Sequence, residues 1–368
     1  MGLQSGGPRV SIAIMSHSKR AREAAALAGR LDGARVVTDP SPPERQFPLR
    51  TAILAWGAAE PGATHHLVVQ DDVELSPEFL RRVETGVRLF PDAALTFYAN
   101  WSSMNGAAIR LAGAAGATWV QEMGTEYFPT LALVLPTKYV GDFVEFATTL
   151  SCWWRDDDDV MREFLESRGI EAYVSVPSLV EHCGLESIAG NGDHGERRAA
   201  WFTAEPAYDP SHEALAHSID FCPWLNKCRA LVLARTVHNG RQLWIQRPWT
   251  DMAAAHGLDA RDLRASFDRL TAPSPRLQKT ADDLGELFVF SVWLTSYLMG
   301  TAVRSGVPLR TLPGFGAPPA APAIERAGLH TLAVGGCAWM PLPPSLLATY
   351  SAETAELTET GFTTGLTG

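Results

Sequence analysis

Three carboxylates within four residues, Asp71, Asp72 and Glu74, follow the apolar run Leu67-Val68-Val69 after the single residue Gln70. Crowded carboxylates repel one another unless a positive charge joins them, and a hard divalent cation such as Mg²⁺ or Mn²⁺ takes oxygen ligands of this kind. A cation at this point suggests a diphosphate partner. The competing reading is that Asp71 and Asp72 are solvated loop carboxylates, since Ser76-Pro77-Glu78 makes a good N-cap and first turn of a following helix. A second acidic run, Asp156-Asp157-Asp158-Asp159, stands behind Trp153-Trp154-Arg155 and opens a helical stretch with apolar Val160, Met161, Phe164 and Leu165. Capping of free amides and the macrodipole account for one or two of these four. A carboxylate held there beside two tryptophans is a candidate general base toward an acceptor hydroxyl, with the choice among the four open. The third candidate is His182, in Val180-Glu181-His182-Cys183-Gly184, because histidine is a common ligand for ions such as Mn²⁺. It belongs to the same site only if the fold returns it to Asp72.

These residues need elements to hold them. The apolar run before Asp71 follows a turn at Pro61-Gly62 and reads as a short interior strand of a parallel sheet. Ligands in open α/β sheets collect beyond the carboxyl ends of such strands. Upstream, Val10–Met15 predicts a strand, Arg20–Leu31 a helix, Arg35–Thr38 a strand ended by Asp39-Pro40-Ser41-Pro42-Pro43, and Leu49–Ala59 a helix. Downstream, the pattern predicts a helix over Pro77–Phe90, a strand over Ala94–Ala99, a helix over Asn105–Ala115, extended Thr118-Trp119-Val120 and a buried strand over Phe128–Leu135. Alternating strands and helices over the first ~200 residues define an α/β layered domain with a mostly parallel sheet. No GxGxxG and no GxxxxGK[ST] is present, which argues against dinucleotide-binding and P-loop folds.

The arrangement resembles the GT-A family of nucleotide-sugar glycosyltransferases over residues 9–195. The resemblance rests on the first-strand opening Val10–His17, on Gln70-Asp71-Asp72-Val73-Glu74 in the position of the DXD motif, on Asp156–Asp159 where the late acidic motif lies, and on Val176–His182. It implies a GT-A, Rossmann-like domain that binds a nucleoside-diphosphate sugar through Ser16, His17, Asp39 and Asp71. It also implies Mn²⁺ or Mg²⁺ on Asp72, with Asp71 or Glu74 assisting and His182 as partner, and Asp156 or Asp157 as the catalytic carboxylate toward an acceptor hydroxyl. The sequence departs from the strict pattern at Gln70, which stands where many members carry an acidic residue. Two alternatives accompany the transferase reading: a non-catalytic binding or scaffold protein of GT-A-like fold, and a sugar-1-phosphate nucleotidyltransferase. The second lacks the Gly-rich, basic loop expected after Met15.

Length and composition set the remaining bounds. At 368 residues, two domains or one with a large appendage are expected. With 46% hydrophobic and 20% charged residues the chain reads as an ordinary folded one. Its 41 acidic and 31 basic residues give a net charge of -10, which opposes binding to nucleic acid or an anionic membrane. Five cysteines without a CxxC pair indicate reduced thiols and, with no signal-peptide core at Met1–Pro8, a cytoplasmic location. The apolar run Leu287–Met299 is short for a membrane span and reads as a core helix. Residues 196–220 read as a linker or covering loop, and residues 221–350 as a separate, mainly helical α+β unit that shapes the acceptor site or a homodimer contact. That unit contains a hairpin, Ala230–Arg235 with Gln242–Gln246 around His238-Asn239-Gly240-Arg241, and helices near Asp259–Leu270, Thr280–Gly300 and Pro344–Tyr350. The Thr/Gly-rich residues 351–368 read as a disordered tail. Trp224, Trp244, Trp249 and Trp293 are candidates to stack on a sugar.

Overall fold

A computed structural model describes residues 7–124, 126–150, 155–184, 196–204, 211–238, 241–317, 326–338 and 343–368. Its strands are β1 (Val10–Ser16), β2 (Arg35–Thr38), β3 (His65–Gln70), β4 (Val73–Leu75), β5 (Ala94–Thr96), β6 (Trp119–Gln121), β7 (Ala132–Pro136), β8 (Ala172–Ser175), β9 (Val180–His182), β10 (Ala214–Ala216), β11 (Phe221–Asn226), β12 (Arg229–His238), β13 (Arg241–Pro248) and β14 (Leu309–Thr311). The helices are α1 (Ala21–Ala28), α2 (Pro48–Trp56), α3 (Phe79–Leu89), α4 (Met104–Ala114), α5 (Thr137–Thr149), α6 (Asp157–Arg168), α7 (Trp249–Ala255), α8 (Ala260–Thr271), α9 (Pro275–Leu284), α10 (Glu286–Ser305), α11 (Arg326–Gly336), α12 (Pro344–Thr349) and α13 (Ser351–Thr367).

Nine strands form one sheet in the order β14-β10-β6-β8-β5-β7-β3-β1-β2. From the pairing directions, β1, β2, β3, β5, β8 and β14 point one way and β6, β7 and β10 the other. The fold is therefore α/β, with a mostly parallel central sheet and a largely helical C-terminal part. Strand alternation divides the layers. Ile14, Leu67, Val69 and Val134 face one core with Leu27 of α1 and Phe79 and Val83 of α3. Their neighbours Ala13, Val68, Leu133 and Leu135 face the other, filled by α2, α5 and α6 through Trp56, Phe143 and Phe164. Met15 pairs with Gln70 across the parallel β1 and β3, so Ser16-His17 and Asp71-Asp72 leave the sheet side by side at its carboxyl edge.

The division expected near residues 196–220 is corrected by the packing. Ala214–Ala216 is a buried strand paired with β6 inside the main sheet, and Ala199 and Phe202 bridge to Asn100 and Ser178. The C-terminal elements are not a separate unit either: one core joins Ala107, Ile109 and Leu111 of α4 to Val292, Trp293 and Leu298 of α10 and to Val232 of β12. Buried Glu213 fastens the junction, accepting from Arg82 of α3, from Thr118 Oγ1 at 2.5 Å and from Trp119 Nε1 at 3.0 Å.

The expected helix over Thr280–Gly300 is two helices, broken at Gly285, whose φ of 94° favours glycine. Among the described residues α10 is long and apolar enough to cross a membrane by length and composition, so the expected shortness is corrected; most of its side chains lie inside the fold. The tail is also corrected. Residues Ser351–Thr367 are the helix α13, and its Gly361 and Gly365, one turn apart, lie against the backbone of α10. A methyl group at Gly365 would sit 1.9 Å from the Tyr297 carbonyl oxygen. The glycines that made this stretch look unstructured are what allows the two helices to touch.

Candidate functional site

A cavity of about 1010 Å³ opens at the carboxyl edge of β1 and β3, and it collects residues from distant parts of the chain. Its floor is Asp71-Asp72. Asp71 Oδ2 accepts from the His17 backbone N–H at 2.8 Å, and Asp71 Oδ1 lies 3.3 Å from Arg20 Nη1. Asp72 Oδ2 accepts from Arg20 Nη1 at 2.6 Å and lies 3.3 Å from His182 Nε2. Both carboxylates are buried. Burial is the larger influence on Asp71 and pushes its pKa up against the His17 amide and Arg20. Burial acts the same way on Asp72, but the hydrogen bond from His182 and the charge and hydrogen bond of Arg20 outweigh it and hold the group at about 2.

His182 reaches this point through a short antiparallel ladder. β4 pairs with β9 so that Val73 faces His182, and Cys183 N–H donates to Asp72 O at 2.9 Å. The same ladder excludes Glu74. Val73 and Leu75 are buried and Glu74 between them is exposed, as period-two alternation requires. Glu74 is paired across the ladder with Glu181 and does not line the cavity. Asp39 is also set back: its Oδ1 accepts from Ser41 N–H at 2.9 Å and its Oδ2 lies 3.4 Å from Arg50 Nε. Its backbone oxygen accepts from Gln46, which does face the cavity. Ser16 and His17 line the cavity as expected.

The fit to a divalent cation can be judged from the donor set. Asp72 Oδ1 is buried and has no hydrogen-bond partner, which is the condition of a ligand oxygen. His182 Nδ1 accepts from Gly184 N–H at 3.1 Å, which leaves its proton on Nε2, facing Asp72. In this tautomer His182 is a donor to the carboxylate and not a ligand. Among the described residues no group of three His, Cys, Asp or Glu side chains is arranged to hold a metal alone. Mg²⁺ sites commonly use one or two carboxylates and complete the shell with waters and substrate phosphates. Asp72 with Asp71 fits a site of that kind.

The second acidic run also lines the cavity, from Asp156 to Asp159. Asp156 is the N-cap of α6 but its side chain makes no capping bond, whereas Asp158 Oδ1 accepts from Asp159 N–H at 2.7 Å. Asp158 therefore takes up one free amide of the first turn, and Asp157 accepts from its own backbone N–H. Burial raises Asp157 to about 6, against a hydrogen bond from Thr130. Burial and the charge of Asp157 raise Asp158 to about 8. Gln70 Nε2 donates to Thr130 Oγ1 at 3.3 Å, and Thr130 hydrogen-bonds Asp157, so Gln70 ties the end of β3 to Asp157. Trp153 and Trp154 lie outside the described residues.

Several cavity residues escaped the sequence. By its sequence Arg20 starts a helix; in the structure it closes the 3₁₀ turn Ser18–Arg20 and turns back onto Asp71 and Asp72. Glu126 accepts from the Met104 and Asn105 backbone N–H groups at 2.8 Å each, at the start of α4, and burial raises it to about 7. No local pattern marks it. Trp224 and Lys227 enter from the β11–β12 hairpin, with Trp224 Nε1 donating to Ser102 O at 3.0 Å. Of the four tryptophans considered for stacking, Trp224 alone lines the cavity; Trp293 and Trp244 are buried, and Trp249 packs edge-on to Phe290.

An α/β protein with an acidic, arginine-bearing cavity at the carboxyl edge of its sheet is the class these observations define. No protein family matches the chain, and no curated protein matches it. Among solved structures it is similar to a mutant of the Drosophila beta-1,4-galactosyltransferase 7 in complex with manganese, UDP-Gal and xylobiose. The match has 7% identity, covers 65% of this chain and 93% of that one, and has a TM-score of 0.27. An overlap of that size assigns no activity.

Proposed function

We propose that the protein is a glycosyltransferase that moves a sugar from a nucleoside-diphosphate sugar to an acceptor hydroxyl, with Mn²⁺ or Mg²⁺ at Asp72. The observation that carries this reading is the pairing, in one cavity, of a partnerless buried carboxylate oxygen at Asp72 with carboxyls at Asp157 and Asp158 that titrate near neutrality. A cation bound at Asp72 supplies Lewis-acid stabilisation of the charge that gathers on a leaving diphosphate. The chain's own residues do the rest. Arg20 and the His17 amide fix the Asp71 carboxylate, and His182 orients Asp72 by donating from Nε2. Arg20 also adds positive charge beside the diphosphate position. Asp157, ionised above about pH 6, accepts the proton of the acceptor hydroxyl while Asp158 keeps its own. Phe128 and Leu131 form part of the apolar wall that keeps bulk water from the transferred sugar.

One observation favours a second reading. Arg20 already bridges Asp71 and Asp72, which is how a protein that binds the nucleotide sugar without a cation, or without turnover, would neutralise the pair. Isothermal titration with UDP- and GDP-sugars, with and without Mn²⁺, separates the two. Binding that requires Mn²⁺ supports the transferase, equal binding without it supports the second reading, and absence of heat with every nucleotide sugar at millimolar concentration overturns both.

A further inference from the structure

We propose that Cys228 and Cys337 are a reversible dithiol/disulfide pair that locks the tip of the β11–β12 hairpin against α11 at the cavity wall. The two sulfurs come from residues 109 positions apart and lie 3.0 Å from each other, about 1 Å beyond the ~2.05 Å of a disulfide bond. The backbones are already joined there, since Cys228 N–H donates to Gly336 O at 2.8 Å. Packing leaves little slack. A methyl group at Gly336 would lie 2.3 Å from Leu225 Cδ2, so the glycine lets the hairpin rest directly on the end of α11.

The hairpin itself points to a constraint at this place. Asn226 pairs with Arg229, and the two residues between them, Lys227 and Cys228, have φ of 49° and 61°. A two-residue turn with both central φ positive normally calls for Asn-Gly or Asp-Gly. Lys-Cys in that conformation is strained, and such strain persists where surrounding contacts hold it. The contact on Cys228 is α11, through Gly336 and Cys337. The result is that Lys227 and Asn226 are presented to the cavity.

The chemistry is asymmetric. Cys228 is half-buried and reachable, whereas Cys337 is 4% exposed. The neighbouring thiol lowers the Cys228 pKa and raises that of Cys337, which makes Cys228 the attacking thiolate. Thiol–disulfide exchange with a small-molecule disulfide balances the reaction. Cys228 attacks one sulfur of the reagent, whose S–S bond breaks and releases one thiol. Cys337 then loses its proton and attacks Cys228 Sγ, releasing the second thiol. Two electrons pass from the protein to the reagent, which leaves as two thiols. In a reducing compartment the pair stays as thiols, in keeping with free cysteines, and the bond forms only as the surroundings become oxidising.

The test uses the full chain equilibrated with oxidised glutathione and then with excess reduced glutathione, followed by free-thiol counting, peptide mapping and thermal melts. The expected result is a fall from five free thiols to three, a Cys228–Cys337 linked peptide, a higher melting temperature in the oxidised form and reversal on reduction. Cys228→Ser, at the half-exposed position, should keep the fold and abolish the cross-link. Cys337→Ser should trap glutathione on Cys228. A glutathione adduct on wild-type Cys228 that never resolves, a cross-link between other cysteines, or an unchanged thiol count would each overturn the proposal. None of these readouts depends on sugar transfer.

Discussion

Removing the charge of Asp72 and removing that of Asp157 should fail in different ways. Asp72→Asn takes away the buried partnerless oxygen's charge and should weaken Mn²⁺-dependent nucleotide binding at least about tenfold, with the fold retained because Arg20 keeps Asp71. Asp157→Asn should leave donor affinity near normal and lower kcat by about 10²-fold or more, as loss of a general base does. A capping role alone predicts a third pattern, a stability loss of about 0.5–2 kcal/mol with binding unchanged. The pH profile belongs to the same pair. Burial pushes both Asp157 and Asp158 above the usual carboxylate range, so kcat should rise with pH along a raised acid limb, and Asp157→Asn should abolish that limb. Stopped-time assays of nucleotide release from pH 5 to 8 check this. At this scale Asp71, Asp72 and the acidic run were legible because their charge density is local. Arg20 and Glu126 were not, because what marks them is whom they meet, 51 residues away for Arg20 and Asp71 and 21 for Glu126 and Asn105.

At the scale of elements, strand and helix alternation was readable through the central sheet because each strand shows one apolar face to each layer. The ladder that carries His182 was not, since three-residue strands such as β4 and β9 have too few positions to show a period. That ladder also decides against Glu74, whose neighbours Val73 and Leu75 take the buried face. The tail misled for a physical reason: Thr and Gly depress helix propensity, but Gly361 and Gly365 gain a close contact with α10 that outweighs it. Gly365→Ala should therefore destabilise by about 1–3 kcal/mol through the clash with the Tyr297 carbonyl. Gly141→Ala in α5, where an added methyl meets nothing within 4 Å, should stabilise by about 0.5–1 kcal/mol. Urea midpoints for the two variants should move in opposite directions, and equal shifts would show that α13 does not pack as described.

For the whole molecule, the continuous core makes the C-terminal part a wall of the cavity and not an appendage, and the Glu213 junction is where that can be probed. Arg82→Met strands Glu213 in the interior and should cost about 3–5 kcal/mol, read as a lower denaturant midpoint. The stability of the whole chain should also follow pH through its buried acids. Burial raises Glu122 to about 8 against a hydrogen bond from Asn105, so the native state binds more protons than the unfolded chain between about pH 4.5 and 8. Stability then falls as pH rises across that window. Melting temperatures from pH 5 to 8 should decline, and Glu122→Gln should make the decline shallower, with Glu126, Asp157 and Asp158 carrying what is left.

Whether Asp72 holds a cation for a nucleotide sugar is tested by calorimetry of nucleotide-sugar binding to wild type and to Asp72→Asn, each with and without Mn²⁺ at fixed pH. With the cation on Asp72, Mn²⁺ should strengthen binding to wild type, and the variant should lose this gain while melting as a folded protein. Unchanged Mn²⁺ and donor affinity in Asp72→Asn would contradict it.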